Sequence, residues 1–255
     1  MKQELCAVRG VQQVAANTFV LQFSSSFISS AIRPGQFVNI RVDNGIEPLL
    51  RRPFSVYRTV DDLVEVIFNV VGKGTSVLQK KLPGEFLDVL GPLGVPFSLS
   101  SNDFTTAILV GGGLGVAPLP ISTELLRRSG KNIMTFLGAR NARQLVDAHL
   151  LNVRVSTDDG SKGFHGTVVE LLSNTLAGRG ETSLKIFGCG PTAMLRGLAS
   201  FARAEDIPCE VSLEGAMGCG FGICQGCPVE FVEGERKYGL MCTDGPTFDI
   251  RTIKI

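Results

Sequence analysis

Short runs in which apolar and polar residues alternate fill the first hundred positions, and turn residues separate them. Residues 19–23, 37–42 and 63–71 carry such runs, punctuated by Pro34-Gly35, Asp43-Asn44-Gly45, Pro83-Gly84 and Gly91-Pro92. Many short strands at this spacing predict an antiparallel sandwich or small β-barrel over residues 1–100. The rhythm then changes. Continuous apolar runs at 106–110, 133–137, 153–155 and 184–187 alternate with helical patterns, one ending at Arg128 and others over 167–176 and 192–205. Runs without alternation belong to strands buried on both faces, so residues 101–211 read as an α/β doubly wound parallel sheet of the nucleotide-binding kind. Residues 212–255 are rich in glycine and cysteine, with a hairpin expected from 229–232 to 238–242 turning at Glu233-Gly234. So short a segment has no room for a core of its own, and something else must hold it together.

Composition narrows the class. With 25 Lys+Arg against 24 Asp+Glu the chain of 255 residues is nearly neutral, and no basic stripe appears, which argues against nucleic acid as a partner. A hydrophobic fraction of 44% with 19% charged residues is that of a globular chain. The first residues mix charges and lack an apolar leader, and the most apolar stretch, 107–121, is too short and too broken by glycine and proline to span a bilayer. The expectation is a soluble, cytoplasmic protein with no membrane partner. There thiols stay reduced, so the seven cysteines point to metal or redox chemistry.

Four of them, Cys219, Cys224, Cys227 and Cys242, are spaced C-x4-C-x2-C-x14-C. This is the plant-type [2Fe–2S] pattern, in which four thiolates hold two irons. Gly218, Gly220, Gly222 and Gly226 allow a tight loop whose N–H groups can approach the sulfurs. A structural zinc in a non-catalytic interaction module is the alternative reading, although zinc ribbons usually repeat C-x2-C and only Cys224/Cys227 has that spacing here. Cys6 and Cys209 read as core residues. Cys189 sits where a strand ends and a helix begins, a position that either packs or lines a nicotinamide pocket.

A glycine-rich turn, Gly111-Gly112-Gly113-Leu114-Gly115, follows the first buried strand and opens a helix near Pro118. Bare backbone at a helix start suits a pyrophosphate. The strict G-x-G-x-x-G is not met, because Val116 intervenes and the pattern ends in Pro118. The acid expected about 20 residues on for an NAD ribose is also missing; Arg140 stands near that place and could instead meet a 2′-phosphate. In the first region, Arg52-Pro53-Phe54-Ser55 suits a phosphate or a flavin edge at a strand end. Gly74-Thr75 precedes a helix expected over 76–81, another candidate phosphate position. Each is equally readable as a turn. His149 and His165 read as surface or structural residues.

Together these motifs resemble the ferredoxin–NADP reductase-like flavoprotein superfamily, and more narrowly the electron-transfer (iron-sulfur flavoprotein) subunits of NAD-linked bacterial dihydroorotate dehydrogenase. The likeness runs from Pro34-Gly35-Gln36-Phe37 through the motifs above, Gly91-Pro92-Leu93-Gly94 and Asp158-Asp159-Gly160-Ser161, to Cys242-Thr243-Asp244-Gly245-Pro246. The resemblance implies an FAD-binding β-barrel (1–100), an NAD-binding α/β domain (101–211) and a [2Fe–2S] domain (212–255). FAD would meet Arg52, Pro53, Phe54 and Ser55, then Ile67, Phe68 and Asn69, then Gly74 and Thr75. Asn69 stands where relatives commonly carry Arg, which removes a charge contact. NAD would meet Gly111, Gly112, Gly113, Gly115, Pro118, Cys189, Gly190 and Pro191, and the cluster Cys219, Cys224, Cys227 and Cys242. No acid–base residue is implied, since the chain is an electron relay. The implied partner is an FMN-containing catalytic subunit that oxidises dihydroorotate in pyrimidine biosynthesis, in a heterotetramer of two of each. The same three domains also suit a bifurcating NADH-dependent ferredoxin:NADP oxidoreductase.

Overall fold

The computed structural model describes residues 1–43, 45, 47–178 and 183–255, so Asn44 of the expected turn lies outside the described residues. Six strands, β1 (Lys2–Ala15), β2 (Thr18–Ser24), β3 (Phe37–Arg41), β4 (Arg52–Val60), β5 (Leu63–Asn69) and β6 (Phe86–Leu93), close into an antiparallel barrel in the order β1-β2-β5-β4-β3-β6. Closure leaves no open edge. Alternation decides the inside: Val38 and Ile40 of β3, Phe54 and Val56 of β4, and Val64, Val66 and Phe68 of β5 fill one apolar cluster. Phe68 lies between Phe19, stacked at 5.9 Å, and Phe54, edge-on at 6.0 Å. Two short helices, α1 (Ser26–Ala31) and α2 (Lys73–Leu78), flank the barrel. The second begins three residues before the helix expected at 76, because Gly72 is its cap and the chain is already helical at Lys73.

The next unit is a parallel sheet of β7 (Thr106–Gly112), β8 (Asn132–Ala139), β9 (Val153–Thr157), β10 (Phe164–His165), β11 (Leu184–Cys189) and β12 (Cys209–Ser212). Its helices are α3 (Leu119–Arg128), α4 (Val168–Leu176) and α5 (Thr192–Ala204). The strand order is β10-β9-β8-β7-β11-β12, so the chain reverses direction of travel between β7 and β11. Both faces of β7 are buried: Ala107 and Leu109 pack on the α3 side, Ile108 and Val110 against α4 and α5. That is why its sequence shows no alternation. Thr167 and Glu170 cap α4 reciprocally, each side chain accepting the other's backbone N–H. Val20, Tyr57 and Ile67 on the outside of the barrel join the α3-side cluster, which fuses the two units through apolar contact.

The C-terminal segment forms the expected hairpin, β13 (Pro228–Glu230) with β14 (Tyr238–Leu240), and then β15 (Thr247–Asp249). It solves its lack of a core by borrowing. β15 pairs antiparallel with β12 as a seventh strand of the α/β sheet, Val211 opposite Phe248. Cys227, Met241 and Cys242 share a small buried cluster with Phe37 and Leu93 of the barrel. Cys6 and Cys209 are buried in the barrel and sheet cores respectively. Among the described residues no helix is long and apolar enough to cross a membrane.

Candidate functional site

The cysteine loop runs from the end of β12 to the start of β13. The β13–β14 pairing brings Cys227 and Cys242 together: Met241 N donates to Cys227 O at 2.8 Å, and the two sulfurs lie 3.3 Å apart. Cys219 Sγ accepts the backbone N–H of Cys224 at 3.4 Å, and the Cys224 thiol bonds to it as well. Burial resists ionisation of Cys219, but these bonds and the N–H groups of Phe221 and Ile223 outweigh it and bring its thiol down to about 6. Cys242 behaves oppositely. Burial first, then the neighbouring Cys227, push it up to about 12. The four thiols thus stand as two pairs, Cys219 with Cys224 and Cys227 with Cys242. Two pairs suit a two-iron group that takes two thiolates per iron.

On the barrel, Phe37 stands opposite Ser55 and Asn39 opposite Pro53 in the β3–β4 register. Opposed residues of an antiparallel pair point to the same face. Pro53 and Ser55 therefore share the outer face with Phe37, which touches the cysteine segment. Phe54 and Phe68 point the other way, into the barrel core, so only their backbone is open to a ligand on the outer face. Ile67 is likewise spent on packing against the α/β unit. Arg52 and Gly74 come together: a Cβ at Gly74 would sit 3.2 Å from Arg52 Nε. Among the described residues Arg52 Nη1 donates to the Leu50 and Arg51 carbonyls, at 2.5 and 3.3 Å, and the guanidinium has further donors that could meet an anion. Thr75 does not offer its hydroxyl, since Oγ1 accepts the N–H of Val71 and Gly72 and donates to Gly72 O.

A cavity of about 670 Å³ opens at the carboxyl ends of the parallel strands, between the α/β unit and the β1–β2 turn of the barrel. This size and this place, beside the β7/β11 reversal, are those of a nucleotide site. Of the glycine-turn residues, Gly112 and Gly113 line it, with Pro191 from the start of α5 and Asn69 from β5. Gly111, Gly115, Pro118, Cys189 and Gly190 do not. Gly115 is pressed against the Cys189 carbonyl, where any Cβ would fall well inside contact distance. The Cys189 thiol is 2% exposed and faces Ser212, and burial, with Glu214 adding to it, raises its pKa far above the ordinary thiol value. It packs; it does not line the cavity. Arg140 and Asp158, at the ends of β8 and β9, and Glu170 of α4 bring charged groups to the wall. Asn17, Thr18 and Met194 also line it without any motif to announce them. Neither His149 nor His165 does: His149 sits edge-on to Tyr57 at 6.2 Å, and His165 lies on β10 at the sheet edge.

Comparison with known proteins adds the following. Residues 214–254 match the iron-sulfur cluster binding domain of dihydroorotate dehydrogenase B. The chain is 36% identical to the dihydroorotate dehydrogenase B (NAD(+)), electron transfer subunit, of Desulforamulus reducens over 94% of both proteins. To the subunit of the same name from Geobacillus thermodenitrificans it is 36% identical over 96% of both. Among solved structures, an NADH-dependent reduced ferredoxin-NADP oxidoreductase, described for flavin-based electron bifurcation, superposes with a TM-score of 0.85. Its identity is 30%, over 98% of this chain and 90% of that one. The ferredoxin NADP+ reductase of Neisseria gonorrhoeae, with bound FAD and NADP, gives a TM-score of 0.66 at 16% identity, over 80% of this chain and 92% of that one, a likeness of fold alone.

Proposed function

The chain belongs to the family of dihydroorotate dehydrogenase B electron-transfer subunits, and from that premise we propose that it carries electrons from a dihydroorotate-oxidising subunit to NAD+. The observation that carries the reading is the shared outer face of the barrel, on which Phe37 stands opposite Ser55 and packs against Cys227 and Cys242. The candidate flavin strand β4 is thus the direct neighbour of β3, on whose outer face the candidate cluster ligands pack.

When bound, FAD exchanges electrons in pairs with a nicotinamide and singly with a [2Fe–2S] cluster, so it joins the two chemistries. The residues of the chain hold and insulate these groups. Cys219, Cys224, Cys227 and Cys242 present the thiolates, and the loop N–H groups on Cys219 Sγ favour its ionised form. Phe37, Leu93 and Met241 keep water from Cys227 and Cys242. Arg52, beside Gly74, offers its guanidinium to the flavin's phosphates. The Pro53 and Ser55 side chains and the Phe54 backbone lie along the face open to the flavin ring, and Asn69 marks the end of that path at the cavity. Gly112, Gly113 and Pro191 form the wall for the dinucleotide. No acid–base pair is required of the protein.

The partner on this reading is an FMN-bearing subunit, two of each chain forming a heterotetramer in the cytoplasm. A second reading, a subunit of an NADH-dependent ferredoxin–NADP oxidoreductase, is favoured by the 30% identity over 98% of this chain. The purified chain should hold about two irons and two labile sulfides per FAD. Co-purified with its partner, it should reduce NAD+ at the expense of dihydroorotate. A complex that handles only ferredoxin and NADP would overturn the first reading in favour of the second.

A further inference from the structure

Asn39 is buried without exposure in the middle of β3, an uncommon setting for a side-chain amide. Its neighbours Val38 and Ile40 face the barrel core, so Asn39, like Phe37, faces the cysteine segment. Buried amides are costly unless bonded. Here only half of the amide is satisfied: Nδ2 donates to Cys219 O at 2.8 Å, while Oδ1 has no partner among the described residues. An apolar side chain of the same size would suit the barrel better, so the contribution of this amide lies in the one bond it makes. That bond spans 180 residues of sequence and ends on the backbone of a candidate cluster ligand.

The loop is shaped to receive it. Gly220, next to Cys219, has φ +83°, and a Cβ there would lie 2.6 Å from Asn39 Nδ2. The amide is thus wedged against bare backbone, and no side chain at position 220 could share the space. On its other side Asn39 stands directly opposite Pro53 of the candidate flavin strand.

We propose that Asn39 is a positioning residue for electron transfer: through the Cys219 carbonyl it holds the cluster loop in register with the flavin strand, and so sets both the separation of the two redox groups and the electrostatic surroundings of the nearer iron. The proposal rests on the reading of Cys219 and its fellows as [2Fe–2S] ligands, and the experiment separates the two.

Asn39→Leu removes the donor at nearly constant size. Asn39→Asp removes it and sets a carboxylate against the Cys219 carbonyl. The holoproteins are compared with the wild type in iron, sulfide and FAD content, in NADH:ferricyanide activity, in the EPR spectrum and midpoint potential of the reduced cluster, and in the rate at which NADH reduces the cluster. Expected are unchanged cofactor content and unchanged ferricyanide activity, an altered EPR spectrum in both variants, and cluster reduction slowed about tenfold. The midpoint potential should fall further in Asn39→Asp than in Asn39→Leu, because added negative charge favours the oxidised cluster; a purely structural role would not order the two variants this way. Should Asn39→Leu fail to fold, Gly220→Ala forces the same contact apart from the loop side and should alter the spectrum alike. Wild-type spectra and reduction rates in these variants would overturn the role of Asn39 and leave the ligand reading intact. A wild-type protein that holds no [2Fe–2S] cluster would overturn both.

Discussion

Gly115→Ala is the sharpest test of how the dinucleotide cavity is built. A Cβ at this position would lie 2.6 Å from Gly190 Cα and closer still to the Cys189 carbonyl. Ordinary contact begins at 3.4 Å, so loop and strand must separate by more than 0.8 Å, the shortfall at Gly190 Cα, because the Cys189 carbonyl is nearer still. Neither side yields easily. Cys189 is paired with Gly111 in the β11–β7 ladder and with Ser212 in the β11–β12 ladder. Backbone cannot swing aside as a flexible side chain can, so the cost belongs at the upper part of the overpacking range, about 2–3 kcal/mol. For a chain of this size that lowers Tm by roughly 4–12 °C. The adjoining Gly113 and Leu114 line the cavity and move with the loop. Misplacement on the ångström scale weakens a positioned reactant by up to about a hundredfold, so KM for NADH should rise steeply in the ferricyanide assay. FAD content should not change, because the candidate flavin strand β4 lies on the other unit. A variant with wild-type Tm and wild-type KM would refute the reasoning, since the loop would then have room that the structure denies it.

Other outcomes follow from the same geometry. Cys224→Ser should lose iron and labile sulfide yet keep FAD and NADH:ferricyanide activity; FAD lost in parallel would mean that the cluster segment holds the flavin too. Arg52→Ala removes a charge-assisted bond worth about 1.5–3 kcal/mol and should raise the FAD dissociation constant roughly ten- to a hundredfold, read by fluorescence titration of the apoprotein. Glu65 is buried; its burial opposes ionisation, but Arg58 at 2.8 Å and Gln22 hold its carboxyl below the usual range. A carboxyl depressed by folding stabilises above its unfolded pKa of about 4.3 and loses that contribution as pH falls toward its native value. Arg58→Met should therefore cost about 2–3 kcal/mol at neutral pH, discounted because the Arg58 side chain is 32% exposed. In urea unfolding the gap to wild type should narrow from about pH 6 to about pH 3; a constant gap would mean that the pair is not ionic.

The parts legible in the sequence are those whose physics is local. Short apolar runs between turn residues revealed the barrel strands, although β2, β3 and β5 are buried on both faces over much of their length, and the unbroken run of β7 revealed a strand dry on both faces. Cysteine spacing picked out four thiols, of which the hairpin brings Cys227 to Cys242 and the preceding loop brings Cys219 to Cys224. What stayed hidden depends on residues far apart. Alternation in β3 places Phe37 and Asn39 on the outer face but does not say that Cys242 and Cys219 meet them there. Strand β15 has three residues, too few to show a period, and exists because β12 offers it an edge. Phe54 and Phe68 belong to motifs read as flavin contacts, yet a motif does not distinguish a backbone contact from a side chain, and both rings are core. The glycine turn shows the same limit. Gly113 opens onto the cavity while Gly115 serves the packing of a strand, and the letter is the same in both places.

The borrowed core of the C-terminal segment also orders events during synthesis. Chains emerge from the ribosome N-terminus first, and units fold as they become available. The barrel closes with β6, long before Cys219 is made, and the α/β sheet is complete through β12 while β15 is still untranslated. Until the last forty or so residues appear, Phe37 and Leu93 face water and the edge of β12 is unpaired. The four candidate cluster ligands therefore come last, onto a nascent protein whose barrel and α/β sheet already stand. Since β15 and the Phe37 contact clamp different units, that final segment also acts as a seal: its arrival removes the exposed edge and the apolar patch that would invite aggregation.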